Sequence, residues 1–222
     1  MMQLPTTNYN YQLAMNKEIL PLGAIEANCI VLWDDPSAAW IVDPGADADR
    51  LCSFLSDHGL APALVALTHA HFDHIGAIAD LVAKWPSLPV HLAPEDEKIA
   101  FHPQNAWPPY YSPTSRPATL ALDLVEGVML SAGGLSARVL ATPGHTPGGV
   151  CLYFEKEHLL LTGDTLFAGS CGRTDFPGGS MKTLSASLRR LAALPPETEV
   201  VPGHGATTTI ARELASNPFL RH

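Results

Sequence analysis

Short apolar runs separated by turn residues recur through the first half of the chain and predict strands that alternate with helices. The runs at residues 27–32 and Ala39–Val42 flank an Asp-Asp-Pro-Ser turn and predict a hairpin. Asp47 is positioned to cap a helix that reaches about His58, with Gly59 as its stop. The other elements predicted in this half are a buried strand at residues 64–67, a helix at 75–84, a strand at 90–92 and a helix opened by residues 94–96.

The pattern breaks between residues 102 and 119 and then resumes in the same style. The interrupted stretch is rich in proline, contains Trp107, Tyr110 and Tyr111, and has the length of a lid or a binding loop. Beyond it, the apolar pattern predicts strands at residues 128–130, 135–140, 150–154 and 159–161, a helix at 181–194, a strand at 199–201 and a helix at 210–215.

The order of these elements predicts a mixed α/β (α+β) protein. Strands come first in each half and helices later, which is satisfied by two sheets packed face to face with helices outside. No low-complexity linker separates the halves, so we expect residues 1–222 to form a single domain.

Composition and charge narrow the classes of partner. The net charge is −9 and basic residues form no run, which argues against nucleic acid as the main partner. No stretch approaches the ~18 apolar residues of a membrane span, and residues 1–22 lack the pattern of a signal peptide. The four cysteines are scattered, as in a reduced cytosolic protein, so we expect a cytoplasmic location.

Short strings of histidine and aspartate carry the chemistry. The first is Thr-His-Ala-His-Phe-Asp-His at residues 68–74, followed by Pro-Gly-His at 143–145, Gly-Asp at 163–164 and Pro-Gly-His at 202–204. Each string follows a short apolar run, so each lies where a strand gives way to a loop. Seven candidate ligands are too many for one tetrahedral metal and suit two metals that share one ligand. They are His69, His71, Asp73, His74, His145, Asp164 and His204.

The spacing within these strings indicates how the ligands divide. His69 and His71 share a face if the strand continues to them, whereas Asp73 and His74 are adjacent and suit a second metal. Asp164 has two carboxylate oxygens and can bridge. Asp43 follows a strand and is either a plain turn former or the acceptor for a ligand histidine's second N–H, and we favour the acceptor.

The same strings, in the same order, resemble those of the metallo-β-lactamase superfamily, whose fold is a four-layer αββα sandwich. Gly-Asp-Thr-Leu-Phe at residues 163–167, Gly-Arg-Thr-Asp-Phe-Pro-Gly-Gly at 172–179 and the ending Asn-Pro-Phe-Leu at 217–220 are similar to its short bacterial hydroxyacylglutathione hydrolase (glyoxalase II) branch. The resemblance implies one metal on His69, His71 and His145, a second on Asp73, His74 and His204, and Asp164 bridging them.

The resemblance also bears on substrate contacts. Arg173 matches a basic residue that contacts glutathione in long glyoxalase II enzymes, but an ion pair with Asp175 is an equally weighted alternative. The chain ends soon after His204, before the helical region that helps those enzymes bind glutathione. We therefore expect Arg173, Tyr110 and Tyr111 to contact the substrate, with a weak preference for its thiol part. Alternatively, the aromatic loop is a plug whose rings form core.

The resemblance implies a binuclear hydrolase acting on small S-acylglutathione-type thioesters, such as S-lactoylglutathione. A hydroxide shared by two divalent metals, held in place by Asp73, would attack the carbonyl. We expect zinc, with iron or manganese as alternatives. The oligomeric state is left open by the sequence.

Two other functions are compatible with parts of this pattern. An iron persulfide dioxygenase shares the fold and binds one iron through matches to His69, His145 and Asp164. It ranks second because Asp73, His74 and the Pro-Gly-His-Gly string around His204 favour a second metal. A binding protein without activity would lack a ligand, and none is missing.

Overall fold

Two six-stranded sheets pack face to face, and helices cover both outer faces. The structure is a computed structural model that describes residues 15–220. Most of residues 1–22, for which the sequence predicts no signal peptide, therefore lies outside the described part. Among residues 15–220, no helix has both the length and the apolar character that crossing a membrane requires.

The first sheet comes entirely from the N-terminal half, and its strands lie in the order in which they follow one another in the chain. The first three pair antiparallel and the last three pairings are parallel. The strands are β1 (Asn16–Leu22), β2 (Ala27–Trp33), β3 (Ala39–Val42), β4 (Pro62–Ala66), β5 (Val90–Leu92) and β6 (Leu120–Leu122).

The second sheet comes from the C-terminal half and is antiparallel except at one pairing. Its strands are β7 (Met129–Ala132), β8 (Leu135–Ala141), β9 (Val150–Phe154), β10 (Leu159–Gly163), β13 (Glu199–Pro202) and β14 (Thr208–Thr209), and β11 (Leu166–Phe167) with β12 (Ser170–Cys171) forms a separate hairpin. The spatial order is β14-β13-β10-β9-β8-β7, and β10 and β13 run parallel.

Within residues 15–220, six α-helices lie outside the sheets and cover them with apolar side chains. They are α1 (Ala48–Asp57), α2 (Phe72–Ile75), α3 (Ile78–Lys84), α4 (Glu97–Ala100), α5 (Met181–Leu191) and α6 (Ile210–Ser216). Helix α5 shows why the sequence folds this way. Ser180 accepts a hydrogen bond from the N–H of Thr183, which caps the helix, and Leu184, Leu188 and Leu191 recur at helical spacing and are buried against the second sheet.

Alternate residues of one strand serve two different cores. In β2, Ile30 and Leu32 face the second sheet, whereas Cys29 and Val31 face the outer helices. A strand that is buried on both faces reads as a continuous apolar run, which is why residues 27–32 were recognisable as a strand. The arrangement confirms the predicted α/β class and its four layers.

Two local predictions are wrong. The helix predicted at residues 75–84 is interrupted between α2 and α3, where Gly76 lies so close to Gly45 that a Cβ there would sit 2.3 Å from the Gly45 carbonyl oxygen. Asp47 does not cap α1 with its side chain; its backbone is left-handed (φ 48°), and its carboxylate accepts the N–H of Gly23 at 2.8 Å. Strands β1 and β6 were not predicted, because most positions of β1 are partly or fully exposed and β6 has only three half-buried residues.

The aromatic loop is anchored rather than loose, and its two tyrosines lie in different environments. Tyr111 is buried, its ring packs on Phe72 with 5.0 Å between centroids, and its hydroxyl accepts the N–H of Ile25 at 3.3 Å. Tyr110 is 62% exposed. Part of the predicted plug is therefore present, and Tyr111 provides it.

Replacing the two tyrosines separately will test this division. Tyr111→Ala should lower the free energy of unfolding by about 3 kcal/mol, because a buried aromatic ring and its hydrogen bond are lost. Tyr110→Ala is the matched control and should change it by less than about 0.5 kcal/mol. Urea denaturation of both variants measures the difference, and equal losses would contradict it.

Candidate metal centre

Each predicted ligand lies just beyond a strand end, at one edge of the sandwich. His69 follows β4, His145 follows β8, Asp164 follows β10 and His204 follows β13. Asp73 and His74 lie on α2, which begins immediately after His71. The turns are held across the two sheets, since the N–H of Val150 donates to the Thr68 carbonyl at 2.8 Å and that of Asn28 donates to the Gly203 carbonyl at 2.7 Å.

One group of side chains comprises three histidines. His69, His71 and His145 each present a ring nitrogen, and the three atoms lie within 4.8 Å of one another. Nδ1 of His145 lies 2.7 Å from the carbonyl oxygen of Arg173 and donates to it, which leaves Nε2 with the lone pair a metal needs. That Nε2 lies 2.8 Å from Nδ1 of His71.

A second group lies beside the first and contains a carboxylate. Asp73, His74 and His204 offer three ligand atoms within 4.8 Å of one another. Oδ2 of Asp73 is 3.1 Å from Nε2 of His204 and 3.5 Å from Nε2 of His74. The turn that opens α2 lets both Asp73 and His74 face this group, and the ring centroid of His74 lies 5.3 Å from that of His204.

Asp164 lies between the two groups. Its Oδ2 is 3.5 Å from Nε2 of His145, and its Oδ1 is 3.6 Å from Nε2 of His74. Oδ1 thus faces the second group, whereas Oδ2 faces His145 of the first group and also lies 3.8 Å from Nε2 of His204. The approach depends on Gly203, where a Cβ would lie 2.3 Å from Oδ1 of Asp164 and 2.8 Å from Cε1 of His74.

Asp43 holds His74 from behind. Its carboxylate accepts the N–H and the hydroxyl of Thr68 at 2.7 and 2.6 Å and Nδ1–H of His74 at 3.0 Å. Its backbone is left-handed (φ 53°), which is strained for a residue other than glycine. Oxygen and nitrogen atoms of Asp43, His69 and His74 also lie within 4.8 Å of one another, but the bonds to Thr68 and His74 already engage the Asp43 carboxylate. Asp43 is therefore placed to orient His74, as the sequence predicts.

Two histidines of the first group have lowered pKa values, which favours the binding of a cation. Burial, together with the neighbouring imidazoles, keeps the pKa of His69 well below its ordinary value. Burial and the proximity of His145 lower the pKa of His71 to about 3. Both rings are therefore neutral at pH 7 and keep free lone pairs, the form in which histidine binds metals.

The second group carries an excess of negative charge. Burial alone would lower the pKa of His74, but the carboxylates of Asp73, Asp164 and Asp43 raise it to about 10. Burial opposes protonation of His204 as well, yet Asp73 and Asp164 raise its pKa. For Asp73, burial favours the neutral form, but the two histidines lower its pKa to about 2. A divalent ion would take the place of the proton at His74.

The donor atoms fit metal ions. Nε2 of His69, Nε2 of His74 and Oδ1 of Asp164 are buried without a hydrogen-bond partner among the described residues. Buried polar atoms normally have a partner, and a metal ion supplies one. Imidazole nitrogens with carboxylate oxygens form a donor set that suits zinc, iron or manganese.

The predicted substrate contacts lie at the rim or beyond it. The guanidinium of Arg173 is exposed, forms a two-bond ion pair with Asp175 at 2.6 Å and lies over the ring of Phe176. That ring packs against His71 with 5.2 Å between centroids. Tyr110 instead lines an open cleft of about 650 Å³, and none of the seven predicted ligands is among the described residues around it.

Three polar side chains that support the site were not predicted. Asn105 in the aromatic loop donates to the carbonyl of Ala70 and accepts the N–H of Phe72. Asn28 donates to the carbonyls of Pro202 and Gly205 on either side of His204. Asp96 bonds to the turns that carry His69 and His145. These contacts join residues that lie far apart in the chain, so no local sequence pattern predicts them.

Relatives of known sequence cover nearly the whole chain. It is 36% identical over 209 residues to a Haemophilus influenzae protein named hydroxyacylglutathione hydrolase GloC, with 93% of this chain and 98% of that protein covered. It is 38% identical over 206 residues to the Bacillus subtilis protein named probable metallo-hydrolase YqgX, with 90% and 96% covered.

Solved structures are similar over comparable lengths. BLEG-1, titled a B3 metallo-beta-lactamase, is 38% identical with a TM-score of 0.85, and 93% of this chain and 100% of that chain are covered. TTHA1623, solved in a di-iron-bound form, is 39% identical with a TM-score of 0.80 and coverage of 91% and 100%. ETHE1 from Myxococcus xanthus is 28% identical with a TM-score of 0.73 and coverage of 91% and 83%. Residues 22–204 match the family model of the metallo-β-lactamase superfamily. The chain therefore belongs to this superfamily.

Proposed function

We propose that this protein is a binuclear metal-dependent thioesterase that hydrolyses small S-acylglutathione-type substrates such as S-lactoylglutathione. The observation that carries the proposal is the position of Asp164, whose two oxygens face His145 in one group and His74 in the other. One carboxylate between two ligand sets is the arrangement that two metals sharing a ligand require. We also propose that the protein acts in the cytoplasm.

The relatives support the choice of substrate class. The Haemophilus influenzae relative, which is matched over nearly its full length, is named a hydroxyacylglutathione hydrolase. So is a Xylella fastidiosa relative that is 39% identical over 196 residues, which span 87% of this chain and 66% of that protein. The names of these relatives, together with the ligand geometry, support a thioester substrate for this chain.

The chain supplies metal ligands and a hydrogen-bond acceptor that orients water for this reaction. Divalent ions, when bound, lower the pKa of a coordinated water and polarise the substrate carbonyl. His69, His71 and His145 would hold one ion, Asp73, His74 and His204 the other, and Asp164 both. The Asp73 carboxylate, whose pKa is lowered by His74 and His204 against the effect of burial, stays an acceptor at neutral pH and orients the attacking water.

No thiol near the site is prepared to act as a nucleophile. Burial raises the pKa of Cys29 and Cys171, and it raises that of Cys151 to about 12. A thiol in this state is not ionised at pH 7, and the thiolate is the reactive form. Attack by water therefore accounts for the chemistry without a covalent intermediate on the protein.

Recognition of the thiol part is proposed to be weak. Nε and Nη2 of Arg173 already donate to the two carboxylate oxygens of Asp175, and this pair is exposed to solvent. A substrate carboxylate would have to use the remaining N–H groups of Nη1 and Nη2 or displace Asp175. Apolar contact with Phe176, which lies between Arg173 and His71, is the remaining interaction at this rim.

The alternative is a mononuclear iron persulfide dioxygenase, favoured by the similarity to ETHE1. A single iron on His69, His145 and Asp164 would leave Asp73, His74 and His204 without a role. Yet these three side chains converge within 4.8 Å, and Asp43 fixes the orientation of His74. We therefore place the hydrolase first.

Substitution of Asp164 will test whether this residue is a ligand of both metals or of one. Asp164→Ala should lose both metal ions, and its activity should fall at least about 100-fold, because both groups lose a ligand. His204→Ala, the matched control from the second group alone, should keep roughly one ion per chain. Elemental analysis after dialysis measures this. Asp164→Ala with the metal content of the parent protein would contradict a bridging role.

Substrate assays will decide between the two reactions. The zinc-loaded protein should hydrolyse S-lactoylglutathione with kcat/KM above about 10⁴ M⁻¹s⁻¹. The iron-loaded protein, given glutathione persulfide, should take up no oxygen. Oxygen uptake with one iron per chain and no thioester hydrolysis would establish the dioxygenase instead. Hydrolysis of a β-lactam without hydrolysis of the thioester would also overturn the proposal.

A further inference from the structure

A buried carboxylate outside both ligand groups joins the two turns that supply the first group. Oδ2 of Asp96 accepts the N–H of Ala70 at 3.0 Å and the hydroxyl of Thr146 at 2.7 Å, and Oδ1 accepts the N–H of Gly148 at 2.6 Å. Ala70 lies between His69 and His71, and Thr146 follows His145. The Asp96 side chain therefore joins two segments that lie more than seventy residues apart in the chain. These segments carry His69, His71 and His145, whose ring nitrogens lie close together.

The surroundings of Asp96 indicate that the carboxylate acts as an anion. Its side chain is fully buried, and the three groups bonded to it are all donors. Burial raises the pKa of Asp96 above its ordinary value, although the bonds from Thr146, Gly148 and Ala70 and the proximity of His145 offset part of that rise. A buried charge is retained only where partners compensate for it. A cation held by His69, His71 and His145 would add to that compensation.

The contact is also closely packed. A Cβ at Gly148 would lie 2.8 Å from Cγ and Oδ1 of Asp96, so the turn after His145 rests directly on the carboxylate. Asp96 itself is held by its backbone, because its N–H donates to the carbonyl of Ala93 in the 3-10 turn Pro94–Asp96. The carboxylate therefore has little freedom to shift, and neither do the two turns bonded to it.

We propose that Asp96 is a positioning residue that holds His69, His71 and His145 in register as one metal-binding group. The proposal rests on the two-metal site of the proposed function. Groups that orient metal ligands from behind typically change metal affinity by 10- to 100-fold when they are replaced. Asp96 should act on the first group alone, because its bonds reach the turns of that group.

The test measures zinc affinity by competition with a chromogenic chelator, using metal-free protein. Asp96→Asn keeps the size of the side chain but turns one acceptor into a donor that faces another donor. In a His204→Ala background, where the first group is intact, it should weaken zinc binding about 10- to 100-fold. In a His71→Ala background, which reports on the second group, the change should stay below about threefold.

Glu213 offers a matched control for the loss of a buried charge. It is also fully buried, and it accepts three bonds, from the N–H of Gly169, the hydroxyl of Thr208 and the amide of Asn217. Its partners carry none of the predicted ligands. Glu213→Gln should lower stability but leave zinc affinity within about threefold in both backgrounds.

Should Asp96→Asn fail to fold, Thr146→Val removes one of the three bonds and keeps the carboxylate, and it should give a smaller loss confined to the first group. Equal losses in both backgrounds, or unchanged affinity in the His204→Ala background, would overturn the proposal. Because no substrate is used, a protein that shows the expected zinc affinities but hydrolyses no thioester would refute the proposed function and leave the role of Asp96 standing.

Discussion

The site depends on the parallel pairing of strands β10 with β13 and β3 with β4. Adjacent parallel strands end at the same edge of a sheet, so β10 and β13 bring Asp164 and His204 side by side, and β3 and β4 do the same for Asp43 and the turn that begins at Thr68. Bonds between the sheets then hold the two edges together, including that from Asn28 to the Gly203 carbonyl. The backbone therefore brings the two halves of the chain to one place.

Charge determines what that place can bind. Three carboxylates surround His74, one of them behind it and two in front, and they raise its pKa against the effect of burial. In the first group, burial lowers the pKa of His69 and that of His71. A group of histidines beside an acidic one, with Asp164 between them, forms an asymmetric pair of sites. The two ions would therefore differ in how strongly pH affects their binding.

Sequence reasoning reached the fold and the seven candidate ligands because both leave local marks. Apolar runs mark buried strands, and the ligands cluster within a few residues at the ends of those runs. It did not reach Asp96 or Asn105, whose partners are distant in the chain and whose own surroundings look like an ordinary helix start and loop. It misjudged Asp47 for a related reason, since a tertiary bond to Gly23 replaced the expected cap. Tyr110 and Tyr111 are neighbours in sequence, but only packing separates their environments.

The central claim is that Asp164 is shared by two metals. A crystal structure of the zinc-loaded protein, with anomalous data collected above and below the zinc edge, tests it most directly. The account predicts two anomalous peaks per chain, roughly 3.5 Å apart, with one oxygen of Asp164 on each. A single peak at full occupancy on His69, His71 and His145, with Asp73, His74 and His204 holding no metal, would contradict it.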